Sequence, residues 1–479
     1  MKKFTLVALA MMASASCFAQ TTLWDGENPE ISNKDYAGFW SDGKPELCDN
    51  PETNGINNSA HCLKFTINKD SKVVKLPFRE WMKPSMNGSK RISLMIKKNV
   101  NENVCVELSD PTDGSVGYWK KQVVWYSGDN KWQKLVFDFS SNGDFDNPGI
   151  MTITAQTNDF EGEKTVYIDN IVIEDAPRIN GKLFSEYNAE NPITGDLKLT
   201  GAWMKGASLN ADADWKENTY NDFEYFKSHA TDGVTSVDMR GTVTKDVDVA
   251  QFFKNPNTIV YADAAYDHAN VVFNGTATSL VLNEANAFNA PYDFTAESVK
   301  LTRGVQNDIN SFVLPFKVSA SELGASKVAT YNNYDLGVKV ANFDTAESVA
   351  ANTPFLTIEA KEAKDLTFSN KDIVATTSEL GTDFVGVYTP QGAEGKYGID
   401  DNGLLHKGGK DATIAAFHAY LNVTDPTAVA FDGSTVTAIN GIAADKVADT
   451  AVYDLSGRRV YGKLNKGLYI MNGKKVVVK

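Results

Sequence analysis

The sequence contains few of the residues on which reactive and metal-binding sites usually depend. Its 479 residues include only 4 cysteines and 5 histidines. No Cys-x-x-Cys pair occurs and the histidines are scattered, which argues against a zinc site. The Gly-x-Ser-x-Gly elbow, the phosphate-binding loop, the His-Glu-x-x-His helix and the dinucleotide fingerprint do not occur in the sequence either. Glycoside hydrolysis is not excluded in this way, because two carboxylates suffice for it and leave no local motif.

The sequence also has no excess of basic residues and no long hydrophobic run after its N-terminus. It carries 47 basic and 61 acidic side chains, a net charge of -14, which argues against binding nucleic acid or an anionic membrane through bulk charge. No later segment approaches the roughly 18 apolar residues that a membrane-spanning helix needs. A hydrophobic content of 42% is that of a globular chain, and this length predicts about three or four domains.

The first 19 residues, MKKFTLVALAMMASASCFA, have the parts of a signal peptide. Two lysines precede a short apolar run, and small residues follow it. We predict a signal peptide over 1–19 that is cleaved before Gln20; in an alternative interpretation, Cys17 is a lipidated N-terminal cysteine. Either interpretation predicts an exported protein, secreted or on the outer-membrane cell surface, with no transmembrane segment in the mature chain.

Three cysteines remain after the predicted leader. Export permits disulfides, and Cys48 and Cys62 flank the loop DNPETNGINNSAH. A disulfide between them would staple this loop, and two free thiols are the alternative. Cys105, in the strand-like run VCVEL, is predicted to be a buried thiol.

Short apolar runs bounded by Gly, Asn, Asp and Pro dominate the chain and indicate antiparallel strands with one buried face. We predict a mainly β, multidomain protein of antiparallel β-sandwiches with a small mixed middle region and a C-terminal β-hairpin domain. The predicted units are a β-sandwich over 20–177, a mixed α/β region over 182–295 with a faint resemblance to a leucine-rich-repeat turn, a second β-sandwich over 296–425, a linker over 426–444 and a small C-terminal domain over 445–479.

The first unit resembles a known family. The opening LWDGE, the strand KWQKLVFDFS and the closing YIDNIVIED resemble the galactose-binding-like jelly roll that is used by many carbohydrate-binding modules. The resemblance covers about one third of the chain and implies a glycan or polysaccharide ligand. Modules of this kind commonly hold a structural calcium ion, and the matching positions here are Asp25, Glu27 and Asp169; no other cofactor is implied.

The aromatic residues of this unit are the candidates for ligand contact. A sugar ring has an apolar C–H face, so an exposed aromatic ring beside amides and carboxylates is the usual way to bind it. Strand alternation in YWKKQVVWY puts residues 119, 121, 123 and 125 on one face and residues 118, 120, 122, 124 and 126 on the other. The alternative is that these rings belong to the core. The candidate ligand-binding residues are Trp81, Tyr118, Trp119, Gln122 and Trp125.

The C-terminal end carries the second resemblance. VYDLSGRRV followed by KGLYIMNGKKVVVK resembles the C-terminal sorting domain of the type IX secretion system, over about the last 35 residues. The resemblance implies that the secretion machinery is a partner and that the protein reaches the cell surface. From the residues alone, Asn472-Gly473 predicts a tight hairpin turn.

Three functions follow as hypotheses. The first is a secreted or surface-attached protein that binds carbohydrate without cleaving it. The second is a structural adhesin or surface-assembly protein without glycan binding. The third is a glycanase with an unrecognised site in 182–295, which would need an acidic pair in a cleft lined by Trp203 or Trp215.

Overall fold

The computed structural model is mainly β, with 52% of the residues in strands and 6% in helices, which confirms the predicted fold class. The structure describes residues 21–27, 45–53, 56–77, 85–88, 90–109, 119–142, 148–158, 160–203, 207–208, 219–220, 222–242, 248–377, 380–435, 452–453, 459–460, 467–471 and 474–478. The predicted signal peptide lies outside these residues. In them, no helix is long and apolar enough to cross a membrane.

The first unit is a sandwich of two antiparallel sheets. Its strands are β1 (Thr21–Trp24), β2 (Glu46–Asp49), β3 (His61–Ile67), β4 (Val73–Pro77), β5 (Lys90–Lys98), β6 (Glu102–Ser109), β7 (Trp119–Tyr126), β8 (Gln133–Asp138), β9 (Ile150–Thr154) and β10 (Lys164–Asp175). One sheet has the order β8-β5-β10-β3-β2, with β1 also paired to β10, and the other has the order β4-β9-β6-β7.

Alternation along each strand builds the core between these sheets. In β6, Val104, Val106 and Leu108 are fully buried, whereas Cys105 and Glu107 between them are only partly buried. The inward side chains of both sheets form one apolar cluster. Each fully buried aliphatic side chain stabilises the fold by about 1.5–3 kcal/mol relative to an exposed one. A strand whose apolar residues recur with a period of two therefore turns that apolar face inward.

The middle unit is a stack of parallel strands with one helix. Its elements are β11 (Arg178–Ile179), β12 (Lys182–Leu183), β13 (Ile193–Thr200), β14 (Ala207–Ser208), β15 (Thr219–Tyr220), α1 (Asp222–His229), β16 (Ala230–Asp238), β17 (Ile259–Ala262), β18 (Val271–Phe273), β19 (Thr276–Ala277), β20 (Leu280–Asn283) and β21 (Phe294–Val305). Strands β13, β16, β17 and β18 pair in parallel. Helix α1 buries Phe223 and Phe226 against this stack.

Buried asparagines close the corners of the stack. The Asn257 side chain donates to the carbonyl oxygens of Asn283 and Asn286, both at 2.8 Å, and the Asn270 side chain donates to those of Pro256 and Val281, both at 2.9 Å. Buried backbone groups at a corner need such partners because no ladder reaches them. The Asn-Pro-Asn segment is therefore a structural corner.

The sandwich and the stack are interlocked. Strand β14, from the middle unit, pairs in parallel with β8 and extends the larger sheet of the sandwich, and β15 pairs with β14. The Asp222 carboxylate at the start of α1 accepts two hydrogen bonds from Arg91 on β5. Residues 178–181 were predicted to lie between the first two units. They contain β11, which pairs with β13 of the middle unit.

The third unit contains the remaining strands before the C-terminal segment. They are β22 (Ser311–Phe312), β23 (Val318–Ser319), β24 (Lys327–Asp335), β25 (Val340–Ala346), β26 (Ser348–Val349), β27 (Phe355–Ile358), β28 (Ala363–Ile373), β29 (Phe384–Val387), β30 (Gln391–Gly392), β31 (Tyr397–Ile399), β32 (Leu405–Lys407), β33 (Thr413–Ile414), β34 (His418–Leu421), β35 (Ala428–Phe431) and β36 (Ser434–Thr435). Strand β21 pairs with β28 as well as with β19 and β20, so it spans the boundary placed at 295/296.

Part of the linker predicted over 426–444 is ordered structure. Strand β35 pairs in parallel with β25, and β36 pairs with β35. The apolar run AVAF of β35 packs into the third unit, with Val429 fully buried, and a linker prediction from composition does not detect such packing. Near the C-terminus, β37 (Val452–Tyr453), β38 (Arg459–Val460), β39 (Gly467–Met471) and β40 (Lys474–Val478) form an antiparallel sheet of order β38-β37-β39-β40. The pairing of Met471 with Lys474 agrees with a two-residue turn.

Candidate functional site

The outward-facing side of the sheet β4-β9-β6-β7, called the outer face below, gathers polar side chains around an indole ring. Val124 and Tyr126 of β7 point into the core and are fully buried. Trp125 between them has the opposite orientation and is half-buried. Strand alternation assigns to the outer face the side chains of Val73, Lys75, Asn103, Cys105, Glu107, Lys121, Val123, Trp125, Thr152 and Thr154.

One amide side chain lies next to Trp125, and a second one lies beyond it on the other side of β6. Asn103 of β6 pairs with Trp125 of β7. On the other side of β6, Cys105 pairs with Thr154 at the end of β9, and the same register continued by two residues brings Gln156 alongside Asn103. The carbonyl oxygens of Glu102 and Ala155, which immediately precede these two residues, accept hydrogen bonds from one ammonium group, that of Lys98. Asn103 and Gln156 therefore lie close together, and they are called the amide pair below.

The amide pair is buried but incompletely hydrogen-bonded. Asn103 and Gln156 are 2% and 3% exposed, and the Oδ1 atom of Asn103 and the Oε1 atom of Gln156 have no hydrogen-bond partner within the described part of the chain. An unpaired buried amide oxygen costs about 1–3 kcal/mol. A hydroxyl group of a ligand or a water molecule that donates to these oxygens would remove this cost.

A row of charged side chains crosses the outer face four residues along β6 from Asn103, beyond the row of Cys105 and Thr154. Lys75 pairs with Thr152, Thr152 pairs with Glu107, and Glu107 pairs with Lys121. Burial raises the pKa of the Glu107 carboxyl group, and the charges of Lys121 and Lys75 oppose this increase. The row places a hydrogen-bonding carboxyl group within the same face as the indole ring.

The structure separates the residues predicted to bind a ligand. Trp125 lies on the outer face, but Gln122 has the opposite parity along β7, and its side-chain amide donates to Oδ1 of Asn142 at 2.7 Å. Gln122 and Trp125 therefore do not form one site, which corrects their grouping, because a strand turns odd and even residues to opposite sides. Trp119 begins β7, while its side chain, together with Trp81 and Tyr118, lies outside the part of the structure that is described.

The residues predicted to bind calcium lie close together around the last strand of the sandwich. Asp169 is completely buried, and it accepts hydrogen bonds from the side chain of Asn57 and from the backbone amide of Asn170. Burial raises its pKa, and neighbouring donors, which include the backbone amide of Gly26, oppose this increase. Gly26 stands between Asp25 and Glu27. The Asp25 carboxylate accepts from the backbone amide of residue 27, and the Glu27 carboxylate accepts from the backbone amide of His61.

The groups described around Asp169 do not fit a calcium ion. Calcium needs several oxygen ligands, and the Asn57 side chain could offer its Oδ1 only if the amide were turned over. The backbone amide of Ser59 donates to this Oδ1 at 3.2 Å, and a backbone N–H can only donate. The Nδ2 atom of Asn57 therefore points to Asp169, at 3.0 Å. No group of three or more His, Cys, Asp or Glu side chains that could hold a metal occurs among the residues described.

Cys48 and Cys62 lie opposite each other on β2 and β3. Their sulfur atoms are 3.7 Å apart and both residues are free thiols in the structure, so the disulfide remains a prediction. Burial raises the pKa of the Cys62 thiol. The strand pairing thus brings together the two cysteines that the sequence analysis linked through the loop between them.

The parallel stack contains an acidic pair, which the glycanase hypothesis requires. The Asp196 carboxylate accepts hydrogen bonds from Thr235, Ser236 and Asn289. The Asp238 carboxylate accepts two from the Arg240 side chain, both at 2.8 Å, and hydrogen bonds from Arg240 and Tyr292 contribute to a lowered pKa despite burial. A general acid needs a raised pKa, so Asp238 in this state is unsuited to that role. Trp203 is buried, and Trp215 lies outside the residues described.

Asn103 and Gln156 were missed by the sequence analysis. The run ENVCVEL alternates with a period of two, so an outward amide at position 103 could have been read from it. Gln156 ends the run MTITAQ, which alternates in the same way, so its outward orientation could also have been read from the sequence. Their proximity depends on the pairing of β6 with β9, which connects residues about 50 positions apart.

Comparisons with known proteins give only distant structural matches. No family model and no curated protein matches the sequence. Among solved structures, this chain is similar to a carbohydrate-binding module of the β-sandwich superfamily, with 18% identity, a TM-score of 0.24 and coverage of 32% of this chain and 60% of that chain. It is also similar to a xylan-binding domain from Paenibacillus barcinonensis, with 13% identity, a TM-score of 0.20 and coverage of 28% and 84%. An exo-β-agarase matches with 14% identity, a TM-score of 0.22 and coverage of 28% and 22%.

Proposed function

We propose that this protein is an exported, non-catalytic carbohydrate-binding protein and that the outer face holds the glycan. One observation carries the proposal: the half-buried indole ring of Trp125 lies across from Asn103 in the paired strands, and the buried oxygens Oδ1 of Asn103 and Oε1 of Gln156 have no partner in the described structure. A ligand that fits this arrangement has an apolar face and hydroxyl donors at its edge. Sugars combine these two features.

The physical contributions can be separated by residue. An indole ring packs against the C–H face of a sugar ring and contributes mainly through buried area. A hydroxyl donor that reaches Oδ1 of Asn103 or Oε1 of Gln156 removes the cost of leaving that oxygen unpaired. The Glu107 carboxyl group lies on the same face, four residues along β6 from Asn103, and a ligand that spans this separation of about 13 Å can use it as a further hydrogen-bonding group.

The experiment compares the full-length chain with three variants by electrophoresis in polysaccharide-containing native gels and by titration calorimetry. We expect Trp125→Ala to weaken glycan binding at least tenfold, which corresponds to about 1.4 kcal/mol. Gln122→Ala is the matched control, because this residue lies on the same strand but on the opposite face. We expect it to leave the affinity unchanged.

Asn103→Leu gives the sharpest result, because its effects on stability and on binding should have opposite signs. Replacing an unsatisfied buried amide by an apolar side chain of similar size is expected to leave the unliganded protein equally or more stable. The same change removes an acceptor from the ligand and should weaken binding. Unchanged affinity in both Trp125→Ala and Asn103→Leu would refute the outer face as the site.

Binding measurements on the unmodified protein distinguish glycan binding from the second hypothesis, a structural adhesin. If the folded full-length chain is retarded by no polysaccharide and gives no heat with any glycan, the adhesin hypothesis replaces glycan binding. Release of reducing ends from a bound polysaccharide would instead support a glycanase. We propose that no such release occurs.

Export and surface attachment are part of the proposal. The leader over 1–19 and the C-terminal resemblance over 445–479 support them, with the secretion machinery as the partner of the C-terminal segment. The test is deletion of 445–479 in the native host, followed by fractionation. We expect the truncated chain to be retained within the cell, and its undiminished appearance at the surface would contradict the proposed role of this segment.

A further inference from the structure

A buried lysine lies directly behind the amide pair. Lys98, at the end of β5, is 1% exposed. Its ammonium group donates to the carbonyl oxygen of Glu102 at 3.0 Å and to that of Ala155 at 2.8 Å. It also lies 5.4 Å from the centre of the Tyr126 ring. A lysine is rarely buried to this degree without an acidic partner, so its position needs a physical reason.

The two carbonyl groups belong to strands that no longer pair with each other. The ladder between β6 and β9 ends at Cys105 and Thr154. Beyond that point the Lys98 ammonium group connects the two backbones, since it bonds one carbonyl from each. Asn103 and Gln156 are the next residues along the chain after these carbonyl groups. The strand ladder therefore brings the two backbones together as far as Cys105 and Thr154, and the side-chain bridge from Lys98 holds them together beyond that point.

We propose that Lys98 is a positioning residue for the glycan site: its ammonium group holds the backbones of Glu102 and Ala155 together so that Asn103 and Gln156 present their amide oxygens to the same ligand. This inference rests on the proposed function of the outer face. Lys98 does not touch the ligand. It acts through the amide pair, and its loss would separate or misorient the two acceptors.

The charge of Lys98 makes this bridge sensitive to pH. Burial lowers the pKa of Lys98 to about 7, and the nearby Glu102 carboxylate opposes this decrease. Among the described residues, the Tyr126 phenol also faces it; burial raises the pKa of this phenol, which stays neutral near pH 7. The neighbouring residue on β10, Val166, carries no charge. Hydrogen bonds from a charged ammonium group are about twice as strong as those from a neutral amine, so the bridge weakens as the pH rises above 7.

The experiment measures glycan affinity of the full-length chain from about pH 6 to pH 9. We expect the unmodified protein to bind severalfold more weakly above pH 7 than below it. Lys98→Met keeps the length of the side chain but removes the donors, and we expect a tenfold weaker affinity with a flat pH profile. Lys97→Met is the matched control, because Lys97 is its neighbour on β5 and donates instead to Glu52 and to the carbonyl oxygen of Asn130. It should retain the affinity and the pH profile of the unmodified protein.

The outcomes distinguish this inference from the proposed function. If Trp125→Ala and Asn103→Leu weaken binding but Lys98→Met binds normally with an unchanged pH profile, the positioning role is refuted and the glycan site stands. If the unmodified protein binds no glycan, the proposed function itself fails. Should Lys98→Met not fold, the unmodified protein still decides the matter, because a flat pH profile between about pH 6 and pH 9 would overturn the inference.

Discussion

The contact between Arg91 and Asp222 gives the strongest prediction about stability. Arg91 is 4% and Asp222 0% exposed at the side chain, and the two are joined by two hydrogen bonds, of 2.9 and 3.3 Å. Asp138 also accepts from Arg91, at 3.1 Å. Asp222→Ala removes one carboxylate and leaves the guanidinium group buried with Asp138 as its remaining carboxylate partner in the described structure.

The expected loss follows from the burial of this pair. Breaking a buried ion pair by removing one partner costs about 3–5 kcal/mol. For cooperative units of this size, each kcal/mol shifts the melting temperature by about 2–4 °C, so Asp222→Ala should lower it by on the order of 10 °C. Because the pair joins the sandwich to the stack, we expect both to unfold in one transition in the unmodified protein.

The assay is urea denaturation followed by tryptophan fluorescence and by far-UV circular dichroism. The matched variant is the double replacement Arg91→Met with Asp222→Leu, which removes both charges. We expect it to lose less stability than Asp222→Ala alone, because the fully buried charges are both gone and the Asp138 carboxylate, which loses Arg91, is 20% exposed. A loss below about 1 kcal/mol in Asp222→Ala, or an equal loss in the double variant, would refute the reasoning.

The same contact determines how the protein can be divided for experiments. A fragment that ends at residue 177 loses Asp222 and also loses β14, which pairs with the edge of β8. We expect this fragment to be less stable than a fragment over 21–435, with the difference measured as the shift in urea midpoint. Equal midpoints would show that the two units are energetically independent despite their contact.

Three further predictions concern titration and metal binding. The pKa of Lys98 falls from 10.5 to about 7 on folding. The unmodified protein should therefore gain stability relative to Lys98→Met as the pH rises from about 7 to 10, by at most about 5 kcal/mol. A difference in unfolding free energy between the two proteins that does not change with pH would contradict this. Burial and Arg303 lower the pKa of His418, although Glu284 opposes them. The stability of the unmodified protein relative to His418→Gln should therefore decrease as the pH falls below about 6.5, the pKa of histidine in the unfolded chain. Thermal melts of both proteins at several pH values test this, and a difference that stays constant or grows at low pH would contradict it. Because donors already surround Asp169, calcium or EDTA should leave the melting temperature unchanged, and a rise with calcium would show that the prediction of a calcium site was right.

The sequence by itself determined the features that depend on local patterns. The period of two in YWKKQVVWY divided the residues of β7 between two faces without saying which face is buried, and the structure buries Val124 and Tyr126 of one face completely. The mainly β fold class followed from many such runs. These predictions succeed because side-chain alternation is a property of the strand itself and needs no knowledge of its neighbours.

Only the tertiary structure decided which residues meet. Arg91 and Asp222 are 131 positions apart, and Asn57 and Asp169 are 112 apart. Likewise, the pairing of β6 with β9 brought the amide pair together and made it the centre of the candidate site, although neither residue was among the predicted ligands. Such contacts are set by the order and register of strands that are distant in sequence, and a local pattern of hydrophobic and polar residues does not encode that register by itself.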